Sequence, residues 1–187
     1  MSEIYAREHT LALLHEFTKT DSLKRHAYAV EASMRAAAER TGADVDYWSA
    51  VGLLHDFDYE MFPEAPDHPL KGAEILRDRG YPEEFVRTIL SHASYTGVPR
   101  ENPCAQWLFA VDELSGFCMA CAMVRPDKKI ASVEVRSVKK KLKKKDFAAK
   151  VSREDILEGA EDLGLEVDEI IELVLSALVS VGDDLGL

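Results

Sequence analysis

Apolar residues recur along this chain at the three- and four-residue spacings of a helix. No alternating pattern of useful strand length occurs outside Ile130 to Val135. The pattern predicts an all-α fold. A first helix fits Glu3 to Phe17. The second is the clearest: Asp21 suits an N-cap, Leu23, Ala27, Val30, Met34 and Ala37 form one stripe, and Gly42 lies just past an end at Arg40. His26 stands four residues before Val30, beside that buried stripe. A third helix, near Asp46 to Phe57, carries Tyr47, Ala50, Val51, Leu53 and Leu54 and ends at His55-Asp56.

Pro63, Pro66 and Pro69 cannot sit in a helix interior, so Asp58 to Pro69 is predicted to be a loop. Helices then fit Leu70 to Arg79, stopped by Gly80, and Pro82 to His92, with Pro82 at the first helical position. Gly97 and Pro99 punctuate a second loop before a long apolar helix from Pro103 to Val124. Beyond Pro126, Val135, Val138 and Leu142 make a narrow stripe among lysines. Ser152 with Asp155 has the form of a capping box, opening a helix that Gly164 stops, and a last helix covers Val167 to Val181. The expected organisation is one helical domain, residues 1–125, with a C-terminal helical extension, residues 126–187, packed on the same domain.

Composition narrows this only in part. With 187 residues and 47% apolar content, one domain with a substantial core is favoured over two equal ones. The charged start and the lack of any apolar run of membrane-spanning length lead us to expect a cytoplasmic protein with no membrane partner. There are three cysteines; Cys118 and Cys121 form a C-x-x-C pair inside the apolar run Leu114 to Val124, without a second pair to complete a zinc site, and are expected in the core.

The net charge of −11 is unevenly distributed. Between Arg125 and Arg153 twelve Lys and Arg stand against Asp127, Glu134 and Asp146, whereas Glu154 to Leu187 holds eleven acidic residues and no Lys or Arg. The run Lys139 to Lys145 is therefore expected to face the acidic C-terminal segment, within the fold or across a homodimer, and nucleic acid is not an expected partner.

Candidate chemistry centres on histidines and aspartates. Asp112 follows Trp107-Leu108-Phe109-Ala110-Val111, and an ionised carboxylate in such an apolar helix costs several kcal/mol unless a cation or hydrogen-bond donors meet it. A metal ion would. His55 and Asp56, about 100° apart around a helix axis, can reach one ion from two directions, and His26 and Asp112 would face it from other helices. Imidazole with carboxylate suits Fe, Mn, Zn, Co or Ni better than Mg.

The order His26, then His55-Asp56, then Asp112 resembles the H…HD…D signature of the HD-domain metal-dependent phosphohydrolase superfamily, over roughly Asp21 to Val124. His68-Pro69-Leu70-Lys71-Gly72-Ala73-Glu74-Ile75-Leu76 resembles the H-P-x-x-G-A-x-x-L stretch of its binuclear branch, and Ile89-Leu90-Ser91-His92 the I-x-x-H that follows. The resemblance implies an HD-type helical bundle with one or two divalent metals held by His26, His55, Asp56, His68, His92 and Asp112, and Asp56 bridging. The HD-GYP pattern is absent: no lysine stands three residues after Asp56, nor is there a G-Y-P element, so cyclic dinucleotide hydrolysis is not expected.

Such a site implies hydrolysis of a small phosphorylated metabolite or nucleotide by a metal-activated water, with Asp56 and His92 catalytic. His68 or His92 would contact phosphate or shuttle a proton if only one ion binds. Lys24, Arg25, Lys71 and Arg100 are the nearby cations, and Lys71 and Arg100 the preferred phosphate contacts. Two other outcomes share the ligand set: a mixed-valent di-iron oxygenase, and a non-catalytic metal-binding regulatory module. His9 and His15 match nothing in the motif and are expected to be surface or packing residues.

Overall fold

The computed structural model describes residues 3–187, which form ten α-helices and no strand. In chain order they are α1 (Arg7–Phe17), α2 (Asp21–Thr41), α3 (Val45–Leu54), α4 (Asp67–Asp78), α5 (Glu83–Leu90), α6 (Pro103–Met123), α7 (Val135–Leu142), α8 (Arg153–Leu163), α9 (Val167–Ser180) and the single turn α10 (Gly182–Leu185). The all-α expectation holds. Ile130 to Val135 is not a strand: a 3-10 turn over Ile130–Ser132 brings Ile130 and Val133 into the core, three residues apart.

Several helix ends differ from the expected ones for identifiable reasons. Thr20, not Asp21, is the cap residue of α2, and Asp21 begins the first turn, where its carboxylate meets the positive end of the helix dipole. Gly42 closes α2 in the left-handed conformation at φ 70°. The Asp44 carboxylate accepts from the N–H groups of Asp46 and Tyr47 to open α3, which stops at Leu54, so His55 and Asp56 begin the turns that follow. Pro82 is a cap residue rather than the first helical one. Ser152 caps α8 through the Asp155 N–H, but the reciprocal box is at Glu166 and Glu169, opening α9.

The long helices α2 and α6 pack together at the centre of the molecule, with α3 and α9 on α2 and α8 on α6. Glycine permits two of these approaches. A Cβ at Gly52 of α3 would lie 2.9 Å from the Val30 carbonyl oxygen of α2, and one at Gly159 of α8 would lie 2.6 Å from the Cα of Ala110 on α6. Cys104, Cys118 and Cys121 are buried free thiols in this core. No described helix is long and apolar enough to cross a membrane.

Within the fold, the lysine run meets the acidic segment at one point. Among the described residues, Lys139 alone of Lys139 to Lys145 forms an ion pair, with Asp168 at 2.7 Å. Glu158 and Asp162 are taken by Arg100, and Glu169 by Arg40. The reason is geometric: Val138 anchors α7 in the core, and Lys140, Lys143, Lys144 and Lys145 are exposed around it.

Candidate metal centre

Each candidate ligand arrives from a different part of the bundle. His26 lies in α2, His55 just past the end of α3 with Asp56 in the turn beyond, His92 just past α5, and Asp112 midway along α6. His68 stands at the entry to α4 with an extended backbone, ψ 134°, which turns its ring inward. The six side chains form two groups, His26 with His55 and Asp112, and Asp56 with His68 and His92. In the first, the Asp112 carboxylate oxygen lies 3.0 Å from His26 Nε2 and 3.3 Å from His55 Nε2. In the second, Asp56 Oδ1 lies 3.2 Å from His68 Nε2 and 3.3 Å from His92 Nε2.

Asp56 joins the two groups. Its other oxygen, Oδ2, faces the first group, 3.5 Å from His55 Nε2 and 3.8 Å from His26 Nε2. Ligands about 2.1 Å from a shared ion stand roughly 3.0 to 3.4 Å apart, close to these separations. The donor set therefore fits two metal ions with a bridging aspartate.

Hydrogen bonds behind the rings set their orientation. The Nδ1–H of His55 donates to the Gly52 carbonyl at 2.8 Å, and that of His92 to the Ile89 carbonyl at 2.6 Å. His68 Nδ1 lies 2.9 Å from Asp58 Oδ1, while Asp58 Oδ2 accepts the Gly72 N–H at 2.8 Å. Each ring thereby turns its Nε2 lone pair into the site, as a metal-ligating histidine requires. Gly72 is needed for this support, because a Cβ there would lie 2.6 Å from the Asp58 Cγ.

A cavity of about 390 Å³ opens over both groups, walled further by Tyr59, Ser94, Tyr95, Phe109, Glu113 and Asp155. The HD-domain family matches residues 23–116, a span that contains all six candidate ligands. This chain belongs to the HD-domain family. A curated tRNA (cytidine(56)-2'-O)-methyltransferase from Thermoplasma volcanium is also similar, 32% identical over 82 residues, which are 44% of this chain and 24% of that protein. The HD-domain chain thus spans about a quarter of that relative's length. No solved structure matches it.

The HD site's electrostatics are those of anions awaiting cations. Burial alone would lower the His55 imidazole, but the charges of Asp56 and Asp112 outweigh it and raise the ring to about 10. His68 is likewise lowered by burial yet raised to about 9 by hydrogen bonds to Asp56 and Asp58. Burial favours a neutral Asp112, but His55 and His26 hold it well below the usual carboxylate range. Glu113, outside both groups, is pushed up to about 7 by burial and by Asp112.

Protons on His55 and His68 thus do part of a metal's work when metal is stripped. Both rings rise above their ordinary 6.5, so the stability they contribute is complete below about pH 6.5 and is lost as pH climbs through about 9 and 10. We expect melting temperatures of EDTA-treated protein to fall over that window relative to those of metal-loaded protein. Parallel pH curves for the two forms would contradict this.

Not every expected residue reaches the site. Lys71 is paired with Glu74 at 3.0 Å on the exposed side of α4. Arg100 lies over the Phe109 ring and is held by Asp162 at 2.7 Å and by Glu158. Neither lines the cavity, because each cation has found a carboxylate of its own. Lys24 pairs with Asp21, and Arg25 reaches toward Gly186. His15 is hydrogen-bonded to Tyr28 and His9 is exposed, both apart from the cluster. Asp58, Glu113 and Asp155 carry no motif that marks them as site residues. For Asp58 the position itself is a signal: it sits two residues after Asp56, where an acid backing His68 belongs.

Proposed function

We propose that this HD domain hydrolyses a phosphoester of a small phosphorylated metabolite or nucleotide. The observation that carries the proposal is the bridging position of Asp56, one carboxylate oxygen toward each group of ligands. Divalent ions bound there supply positive charge for a phosphoryl group and lower the pKa of the attacking water. His26, His55 and Asp112 would hold one ion, and His68 and His92 the other, with Asp56 shared. Glu113, a cavity carboxyl outside both groups of ligands, is placed to accept a proton and return it to a leaving-group oxygen.

No Lys or Arg lines the cavity, so a substrate phosphate has no side-chain cation to meet it beyond the ions. This favours a single phosphoryl group over a polyphosphate. The same feature fits a second reading, in which the six ligands would hold a di-iron centre and an uncharged substrate would be oxidised at the expense of dioxygen. The test is a panel of phosphomonoesters, nucleotides and dinucleotides, with protein loaded with Mn, Fe, Co, Ni or Zn in air and under nitrogen. Nucleotides come first in the panel because the similar methyltransferase acts on tRNA. We expect phosphate release that is indifferent to oxygen and stopped by EDTA; oxygen-dependent product without phosphate release would support the di-iron reading instead.

A further inference from the structure

A second groove, of about 410 Å³, lies on the other side of α8 from the metal cavity. Asp155 faces the cavity, whereas Arg153, Ile156 and Leu157 of the same helical turn line the groove, as side chains 100° to 200° around the axis must. The floor of the groove is apolar, built from Leu142 of α7, Ile156 and Leu157 of α8 and Val167 of α9. Leu157 remains 56% exposed there, an unusual amount of bare leucine for a helix that is otherwise packed.

Charge of both signs lines the groove. Lys139 on α7 and Lys143 just past its end, four residues apart and so on one face, stand with Arg153. Lys143 has no carboxylate within ion-pair distance among the described residues. Arg153 donates to the carbonyl oxygens of Ala148 at 2.7 Å and Val151 at 2.6 Å, with further carbonyl contacts at Lys144 and Phe147. Its charge meets no carboxylate, and its buried Nε has no hydrogen-bond partner. Glu166 and Asp168 supply acceptors to the same groove, Asp168 beside Lys139.

We propose that this groove binds a nucleotide. A flat base covers the leucines, the phosphate lies between Lys139 and Lys143, and the sugar hydroxyls donate to Asp168 and Glu166. Lys139 gives up its pair with Asp168 at small cost, since exposed ion pairs are weak. A fatty acid or a bare polyphosphate would leave the two carboxylates without donors, and the polyphosphate would also leave the floor uncovered. The volume is within the range of small-ligand pockets. The site absorbs part of the lysine run that the metal centre leaves unused, and it stands whether or not the metal centre hydrolyses phosphoesters.

Calorimetric titration of the 187-residue chain with ADP, tripolyphosphate and decanoate tests it, in metal-loaded protein and again with EDTA present. We expect ADP to bind with EDTA present, where the metal cavity is out of play, and more tightly than either of the other two. Lys143→Gln should weaken ADP binding about tenfold, the value of one charge-assisted hydrogen bond. Leu157→Glu, which places a negative charge on an exposed part of the floor, should abolish it. Absence of ADP binding, its loss with EDTA, its survival in both variants, or equal affinity for tripolyphosphate or decanoate would each overturn the assignment.

Discussion

Asp56→Ala is expected to empty both metal positions and to lower turnover by at least about a thousandfold, the scale of loss when metal-activated water is removed. No other ligand in the cluster serves both groups. His26, His55 and Asp112 would retain three donors, yet the carboxylate 3.5 Å from His55 would be gone, and the second position would be left with two imidazoles. The helices should survive, because Asp56 sits in a turn and its partners are other site residues. Metal analysis, circular dichroism and kcat/KM on the same preparation check this. A variant that keeps both ions and wild-type turnover would remove Asp56 from its bridging role.

Gly159→Val is expected to destabilise the protein by about 3 kcal/mol, near the upper end of ordinary overpacking, and to lower the melting temperature by roughly 10 °C. The cause is backbone against backbone. A Cβ at position 159 would stand 2.6 Å from the Cα of Ala110, which cannot swing aside as a side-chain tip could. Ala110 is two residues before Asp112, so the displaced α6 should also carry a metal ligand out of place. Weaker metal binding should therefore accompany the lower melting temperature. An unchanged melting curve would mean that α8 does not sit on α6 at this point.

The two sets of residues differ in how far they were legible. The ligands could be found because each carries its own local cue: an aspartate inside an apolar helix, a histidine after prolines, a glycine three residues past His68-Pro69. Gly72 in particular is written in the motif for a reason the structure supplies, the close seat of Asp58. Helix ends were legible to within a turn; the Asp44 side chain sets the start of α3, and Pro82 stands one residue before α5 begins. Charge partners were not legible. Arg100 finds its acids about sixty positions later on α8, and Lys71 finds Glu74 one turn on, so nearness to a motif in sequence said little about nearness to the cavity. Glu113 and Asp155 share a cavity wall only because α8 lies on α6, a juxtaposition with no local pattern.

The account rests on two groups of three ligands joined by one aspartate, and counting metal tests it most directly. Protein expressed without added metal, reconstituted anaerobically with Mn or Fe and desalted, is to be measured for ions per chain alongside His68→Ala. Two ions are expected in the wild type, one for each group, and one in the variant, retained by His26, His55, Asp56 and Asp112. One ion in fully reconstituted wild type, unchanged in His68→Ala, would contradict it.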